Sequence, residues 1–211
     1  MGMFTNFKTK AIAAVAGAVI GLAATAASAL TLNFDQYITG VDLGQTTLAT
    51  LSATQNGSNI DFVFTNTGIA AGAASFDTQL QMMYNGSTAG ISLANVTGVA
   101  PTLSLDPNAG VGPFKPWDIV ISWSSSNKNN GALRLNVGEF SAFTLVGANL
   151  ANLFANSGSN PSAMIHVQGL DNGGSTKYGP SPAPVPLPAA GLMLLAGLGA
   201  TGVVARRRKS A

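Results

Sequence analysis

Cysteine is absent from the chain, and histidine and glutamate occur once each, as His166 and Glu139. Without cysteine there is no disulfide, no zinc–thiolate centre and no thiol nucleophile. One histidine cannot build a histidine-based metal site. One glutamate means that a glycosidase-type carboxyl pair would have to draw on aspartates. Charge is scarce too, at 9% of the 211 residues. A domain without disulfide staples must rest on its apolar core, so a core of fair size is expected.

The few charges are unevenly spread. The formal net charge is +2, but Lys8 and Lys10 stand near the N-terminus, and Arg206, Arg207, Arg208 and Lys209 near the C-terminus. Between them, the four cations Lys115, Lys128, Arg134 and Lys177 stand against all eight acids, a net of −4. A mildly acidic body has no electrostatic basis for binding nucleic acid.

Both ends carry apolar runs. Lys8 and Lys10 precede AIAAVAGAVIGLAATA, residues 11–26, and Ala27-Ser28-Ala29 follows. A positive stretch, an apolar stretch and an A-x-A site together read as a secretory signal peptide over residues 1–29. Signal peptidase would cut at the Ala27/Ala29 signature and leave a mature chain from Leu30. An uncut first transmembrane helix is the alternative. At the other end no charge falls between Ala189 and Val204. That is about the minimum length of a bilayer span. A single transmembrane helix is expected over 189–205. Arg206, Arg207, Arg208 and Lys209 then act as stop-transfer residues in a basic cytoplasmic tail, 206–211.

Five residues in front of that helix make the tail specific. Val185, Pro186, Leu187, Pro188 and Ala189 are followed by AGLMLLAGLGATGVVA and then RRRK. This arrangement resembles the PEP-CTERM class of sorting signals, in its VPLPA variant, over the last 27 residues. The resemblance implies recognition by an exosortase-type membrane protease of a Gram-negative bacterium. It implies removal of the tail near the motif, from an inner-membrane-anchored precursor. The protein would then reach the cell surface or extracellular matrix, with exopolysaccharide as its expected associate. Leu187 stands where the commoner motif has glutamate. Glycines at 191, 197, 199 and 202 leave the helix surface small enough for close approach by another helix.

The stretch 179–188 reads as a linker that contains the motif. Pro180, Pro182, Pro184, Pro186 and Pro188 alternate with other residues, which favours extended backbone and a stiff spacer.

The body, 30–178, reads as strands. Ala49, Leu51 and Ala53 alternate with polar residues, as do Ile60, Phe62 and Phe64, and QNGSN between them has hairpin-turn chemistry. WDIVISW is expected to place Trp117, Ile119, Ile121 and Trp123 on one face. Leu133, Leu135 and Val137 alternate with Arg134 and Asn136, FSAFTLVG follows, and Ala163, Ile165 and Val167 alternate with Met164, His166 and Gln168. ANLANLFAN, 148–156, has the pattern of a short helix or turn. The fold class expected is mainly β: an antiparallel β-sandwich, jelly-roll-like, as an ectodomain ahead of the C-terminal helix. The body also resembles a group of small PEP-CTERM proteins that share segments such as NIDFVFTNTG, GALRLN and IHVQGL.

Chemistry is hard to assemble from these residues. His166 faces away from Ile165 and Val167 on a period-2 reading, and no G-x-S-x-G elbow accompanies the serines. Asp35, Asp42 and Asp171 are the aspartates available for a carboxyl pair, and each has a simpler use in a turn. DPNAG at Asp106 and DNGG at Asp171 have calcium-ligand residue types without the spacing of an EF-hand loop. Neither metal nor other cofactor is expected. Asn56, Asn85 and Asn95 begin Asn-x-Ser/Thr triplets. Trp117, Trp123, Tyr84 and Tyr178 raise carbohydrate binding, against a core role for the two tryptophans. The leading expectation is an exported non-enzymatic surface protein. A secreted carbohydrate-active hydrolase and a permanently membrane-anchored ectodomain are the alternatives.

Overall fold

The computed structural model describes residues 28–44, 46–68, 75–106, 117–154, 161–170 and 173–181. The signal segment with Ala27, the motif Val185 to Ala189, the helix expected over 189–205, and Arg206 to Lys209 all lie outside the described residues. Among the described residues, no helix is long and apolar enough to cross a membrane.

Among the described residues, eleven strands, all antiparallel, make up the body. They are β1 (Ala29–Gly40), β2 (Ala49–Asn56), β3 (Asn59–Asn66), β4 (Phe76–Met82), β5 (Ser92–Gly98), β6 (Thr102–Leu105), β7 (Ile119–Ser122), β8 (Leu135–Asn136), β9 (Phe140–Val146), β10 (Ala163–Gln168) and β11 (Ser175–Pro180). Hydrogen bonding runs through them as one sheet in the order β5-β9-β3-β2-β1-β11-β10-β4-β7-β6, with the short β8 paired to β4. The antiparallel β class agrees with the sequence reading. Where a jelly-roll-like sandwich has two sheets, the described residues form one, curled to a nearly closed barrel.

Two features of the chain account for the curl. β5 and β6 are the two ends of the strand path, yet only Val99, Ala100 and Pro101 separate them in sequence. Such a link reaches about 14 Å at most, so the two edges must face each other. β1 supplies the continuity. Its first half pairs with β2 from Ala29 to Phe34, and its second half pairs with β11 from Phe34 to Gly40. Two register shifts in the β11 pairing, between Phe34 and Gln36 and between Tyr37 and Thr39, bend the strand as bulges do. One bent strand thus joins what would otherwise be two sheets.

The inner face is filled by side chains of alternating residues. Leu32 and Phe34, Leu51 and Ala53, Ile60, Phe62 and Phe64, Leu80 and Met82, Ile119 and Ile121, Phe143 and Leu145, and Ile165 and Val167 are all buried in one cluster. Phe62 stacks on Phe143 at 5.2 Å between ring centroids, Phe64 stacks on Trp123 at 4.9 Å, and Phe34 meets Phe64 edge-on at 6.1 Å. Each large side chain taken from water contributes about 1.5–3 kcal/mol.

Local readings held unevenly. The β2–β3 hairpin forms, but Asn56 pairs with Asn59, so Gly57 and Ser58 make the turn, with positive φ at Gly57. Gly at the first central position is the type II′ solution. The stretch after Ala148 turns as a short 3-10 segment, Leu150–Asn152, whose Asn149 carboxamide accepts from the Ala151 N–H. Trp117 departs from its expected face. β7 begins only at Ile119, and Trp117 packs with Val120 and Met164 in a separate cluster outside the barrel, while Ile119, Ile121 and Trp123 face inward. The alternating reading of Leu133 and Val137 also fails, because β8 is only Leu135–Asn136 and both flanking residues are exposed.

Candidate interaction face

Residues on the outward side of β1, β2, β3, β9 and β5 align in rows across the sheet. One row runs Thr31, Ser52, Val63, Ala142, Thr97. A second runs Asn33, Thr50, Thr65, Phe140. A third runs Ala29, Thr54, Asp61, Thr144, Ala94. Neighbours in a row lie about 4.8 Å apart, and rows are about 6.8 Å apart. Alternation produces this order: the apolar residues of these strands fill the core, and the threonines and serines between them must face out.

Asp61 is the one charged side chain in these three rows. Its carboxylate accepts from the Thr144 hydroxyl at 2.7 Å and from the Asn56 amide at 2.9 Å. Those hydrogen bonds, Thr144 foremost, hold its pKa below the usual carboxylate value. The remainder of the rows is hydroxyls, the Asn33 amide, Ala29, Ala94 and Ala142, and two large exposed apolar side chains, Val63 at 47% and Phe140 at 47% of full exposure. The face is therefore rich in hydroxyls and locally apolar, with Asp61 as the single charge of these rows.

The residues that the sequence marked for chemistry do not converge. The Asp35 carboxylate accepts from Gln36, Asp42 from the Gly44 N–H at 2.8 Å, and Glu139 from the Asn136 N–H at 2.8 Å. Asp118 accepts from the Tyr84 N–H at 2.6 Å, and Asp106 accepts from the Thr88 hydroxyl. Asp171 lies outside the described residues. Among the described residues, no three His, Cys, Asp or Glu side chains gather as a metal site. His166 faces outward as expected, opposite Gln79 on β4 and Lys177 on β11. Burial, and then the Lys177 charge, lower its pKa to about 4, so it is neutral near pH 7.

The aromatics marked for carbohydrate are all buried. Trp117, Trp123, Tyr84 and Tyr178 are at most 8% exposed. The Tyr178 hydroxyl instead ties down the loop after β1, accepting from the Leu43 N–H and donating to the Gly44 carbonyl. Asn56, Asn85 and Asn95 are exposed.

Sequence reading missed two things. Phe140 and Val63 stand in adjacent rows of one outward face, which only the register reveals. Asp77 is fully buried, and neither carboxylate oxygen has a hydrogen-bond partner among the described residues. Its place follows from a bulge: His166 pairs with Gln79 and Val167 with Asp77, so Thr78 is the extra residue and Asp77 turns to the inward side with Val167.

Comparison with known proteins found no matching family model, no matching curated protein and no matching solved structure.

Proposed function

We propose that this chain is an exported, non-enzymatic protein of the cell surface or extracellular matrix, with its β-barrel body contacting neutral exopolysaccharide. In this reading residues 1–29 direct export. The helix over 189–205 anchors a precursor, and an exosortase-type protease recognises Val185 to Ala189. The observation that carries the binding part is the hydroxyl-rich outer face, with Asp61 as the one charge of its rows and Val63 and Phe140 exposed upon it. Polysaccharide surfaces alternate hydroxyl rims with apolar ring faces, and a sheet face of the same character needs no charge to meet them. The carboxylates of Asp42, Asp118 and Glu139 support a structural rather than catalytic use, since each already accepts from a backbone N–H of its own fold.

Mass measurement of both termini, from membrane and extracellular fractions, tests the sorting part. A form running from Leu30 to between Val185 and Ala189 is expected outside the cell. A protein still ending in RRRKSA and confined to the membrane would leave a plain anchored ectodomain. Retention on a column of neutral glucan tests the face. Phe140→Ser should weaken retention while Tyr37→Ser, at an exposed aromatic elsewhere on β1, should not. Equal retention of both variants and the parent would overturn the binding part.

A further inference from the structure

Four successive strands each send one polar side chain to a single point on the outer face. Asp61 of β3 is its centre. Its Oδ2 accepts from the Asn56 amide of β2 at 2.9 Å, and its Oδ1 accepts from the Thr144 hydroxyl of β9 at 2.7 Å. The Thr144 oxygen in turn accepts from the Asn95 amide of β5 at 3.2 Å.

Register accounts for the convergence. Thr144 stands directly opposite Asp61, and Asn56 ends β2 one step diagonally from it, opposite Asn59. The residue opposite Thr144 on β5 is Ala94, which has no polar group to offer. The β5–β9 ladder then skips Asn95 and Val96 before Thr97 meets Ala142. Asn95 takes the left-handed region there, with a φ of 51°, and the bulge brings its amide over Thr144. Asparagine adopts that backbone more readily than other side-chain-bearing residues do.

Donors and acceptors then decide what the point can bind. The Thr144 hydroxyl spends its only proton on Asp61, and Thr144 is buried beneath the network. Asp61 is half-buried, while Asn56 and Asn95 are exposed. The two donors orient the carboxylate and hold it ionised near pH 7. A carboxylate has room for about four donors, so its two oxygens can each take one more from outside. Two adjacent hydroxyls of a sugar match that pair, and such O–H···O⁻ bonds are charge-assisted. Apolar surface continues from the same point. Val63 lies two residues along β3, about 6.8 Å away, and Phe140 pairs with Thr65, which puts it about 14 Å from Asp61. That span is wider than one sugar ring and suits several units of a chain.

We propose that Asp61 is the polar anchor of this face. It accepts from two adjacent hydroxyls of one sugar unit while neighbouring units of the same chain lie over Val63 and Phe140. The anchor role rests on the reading that the face binds neutral polysaccharide, and it adds selection for free hydroxyls. An apolar patch alone tolerates a sugar whose hydroxyls are capped, whereas a site built to accept from them rejects it.

Retention of the full chain, in detergent micelles, on two columns tests the anchor: one of neutral glucan, one of the same glucan with its hydroxyls methylated. The parent is expected to be held by the first and to pass the second. Asp61→Asn keeps the size and removes the charge. It should weaken binding to the first column about tenfold, the scale of a charge-assisted hydrogen bond. Thr144→Val removes the donor that orients Asp61 and should weaken it about threefold, the scale of an ordinary one. Circular dichroism checks that both variants fold, and the methylated column needs no variant. Equal retention of the parent on both columns overturns the proposal, as does a folded Asp61→Asn protein retained like the parent. In either case a loss in Phe140→Ser keeps the polysaccharide reading without an anchor at Asp61. A parent that passes the unmodified glucan sinks that reading and the anchor with it.

Discussion

Asp77 lies opposite Val167 across the β4–β10 pair, with its carboxyl group in the barrel core and, among the described residues, no hydrogen-bond partner for either oxygen. Burial raises its pKa well above the ordinary value of 3.8. The folded protein therefore holds a proton that the unfolded chain releases above about pH 4. Stability from this group is fully present below the unfolded pKa and falls as pH rises toward the folded one. Asp77→Asn keeps the size and removes the titration. It should raise the melting temperature at pH 7, and the gain should shrink toward pH 3. A variant less stable than the parent at pH 7 would show that the carboxylate has a partner after all.

His166 should behave in the opposite sense. Its folded pKa is about 4, below the unfolded 6.5, so protonation disfavours the fold. Stability from this residue is present above pH 6.5 and is lost as pH falls toward 4. Because it is the only histidine, one NMR titration reports it without ambiguity. A midpoint near 4 is expected. Lys177→Gln should raise it while leaving it below 6.5, since burial is the larger cause.

The Phe64–Trp123 stack, with ring planes 18° apart, sits in the core cluster, and Trp123 is 4% exposed. Trp123→Ala should cost about 3–5 kcal/mol, the usual range for deleting a buried aromatic. Denaturant unfolding followed by circular dichroism would read the loss. A cost under about 1 kcal/mol, the level of an ordinary surface change, would place Trp123 outside the folding core.

Glycines at the start of the loop after β1 separate clash from backbone strain. Gly40 and Gly44 both have positive φ, +105° and +76°. A Cβ on Gly40 would run into the Ser175 carbonyl and come within 2.8 Å of the Thr176 Cα, whereas a Cβ on Gly44 meets nothing within 4 Å. Gly44→Ala should cost about 1–2 kcal/mol of left-handed strain alone. Gly40→Ala should cost clearly more, since β11 must move to make room. Equal thermal shifts for the two would mean that β1 and β11 are not in this register.

Much of the sheet was legible residue by residue. The hairpin around Gly57, the inward set Ile60, Phe62 and Phe64, and the alternation through Ile165 announce themselves by period 2, because one face of each strand is buried. The failures are equally local. Trp117 fits the period of β7, but the strand starts after it, and no pattern shows where pairing begins. Leu133 and Val137 mimic a strand whose ladder is two residues long. The inward place of Asp77 depends on the bulge at Thr78, and so on how β10 is laid alongside β4. The outer face had a partial signal in its alternating Thr and Ser residues. Which of them share a row was hidden, because register belongs to pairs of strands.

What the sequence determined by itself is the antiparallel β class, the apolar inner set and a body in which charge and catalytic side chains are scarce. These follow from composition and from the period of each segment, both local properties. Only the tertiary structure decided that the strands form one curled sheet, that β5 and β6 bring its ends together, and that Phe140 and Val63 stand in adjacent rows of one hydroxyl-rich face. It alone placed the Asp77 carboxyl group in the core. Those facts depend on long-range pairing, on bulges that shift alternation by one residue, and on a short link that closes a path of ten strands. Such constraints act between segments and leave no trace within any one of them.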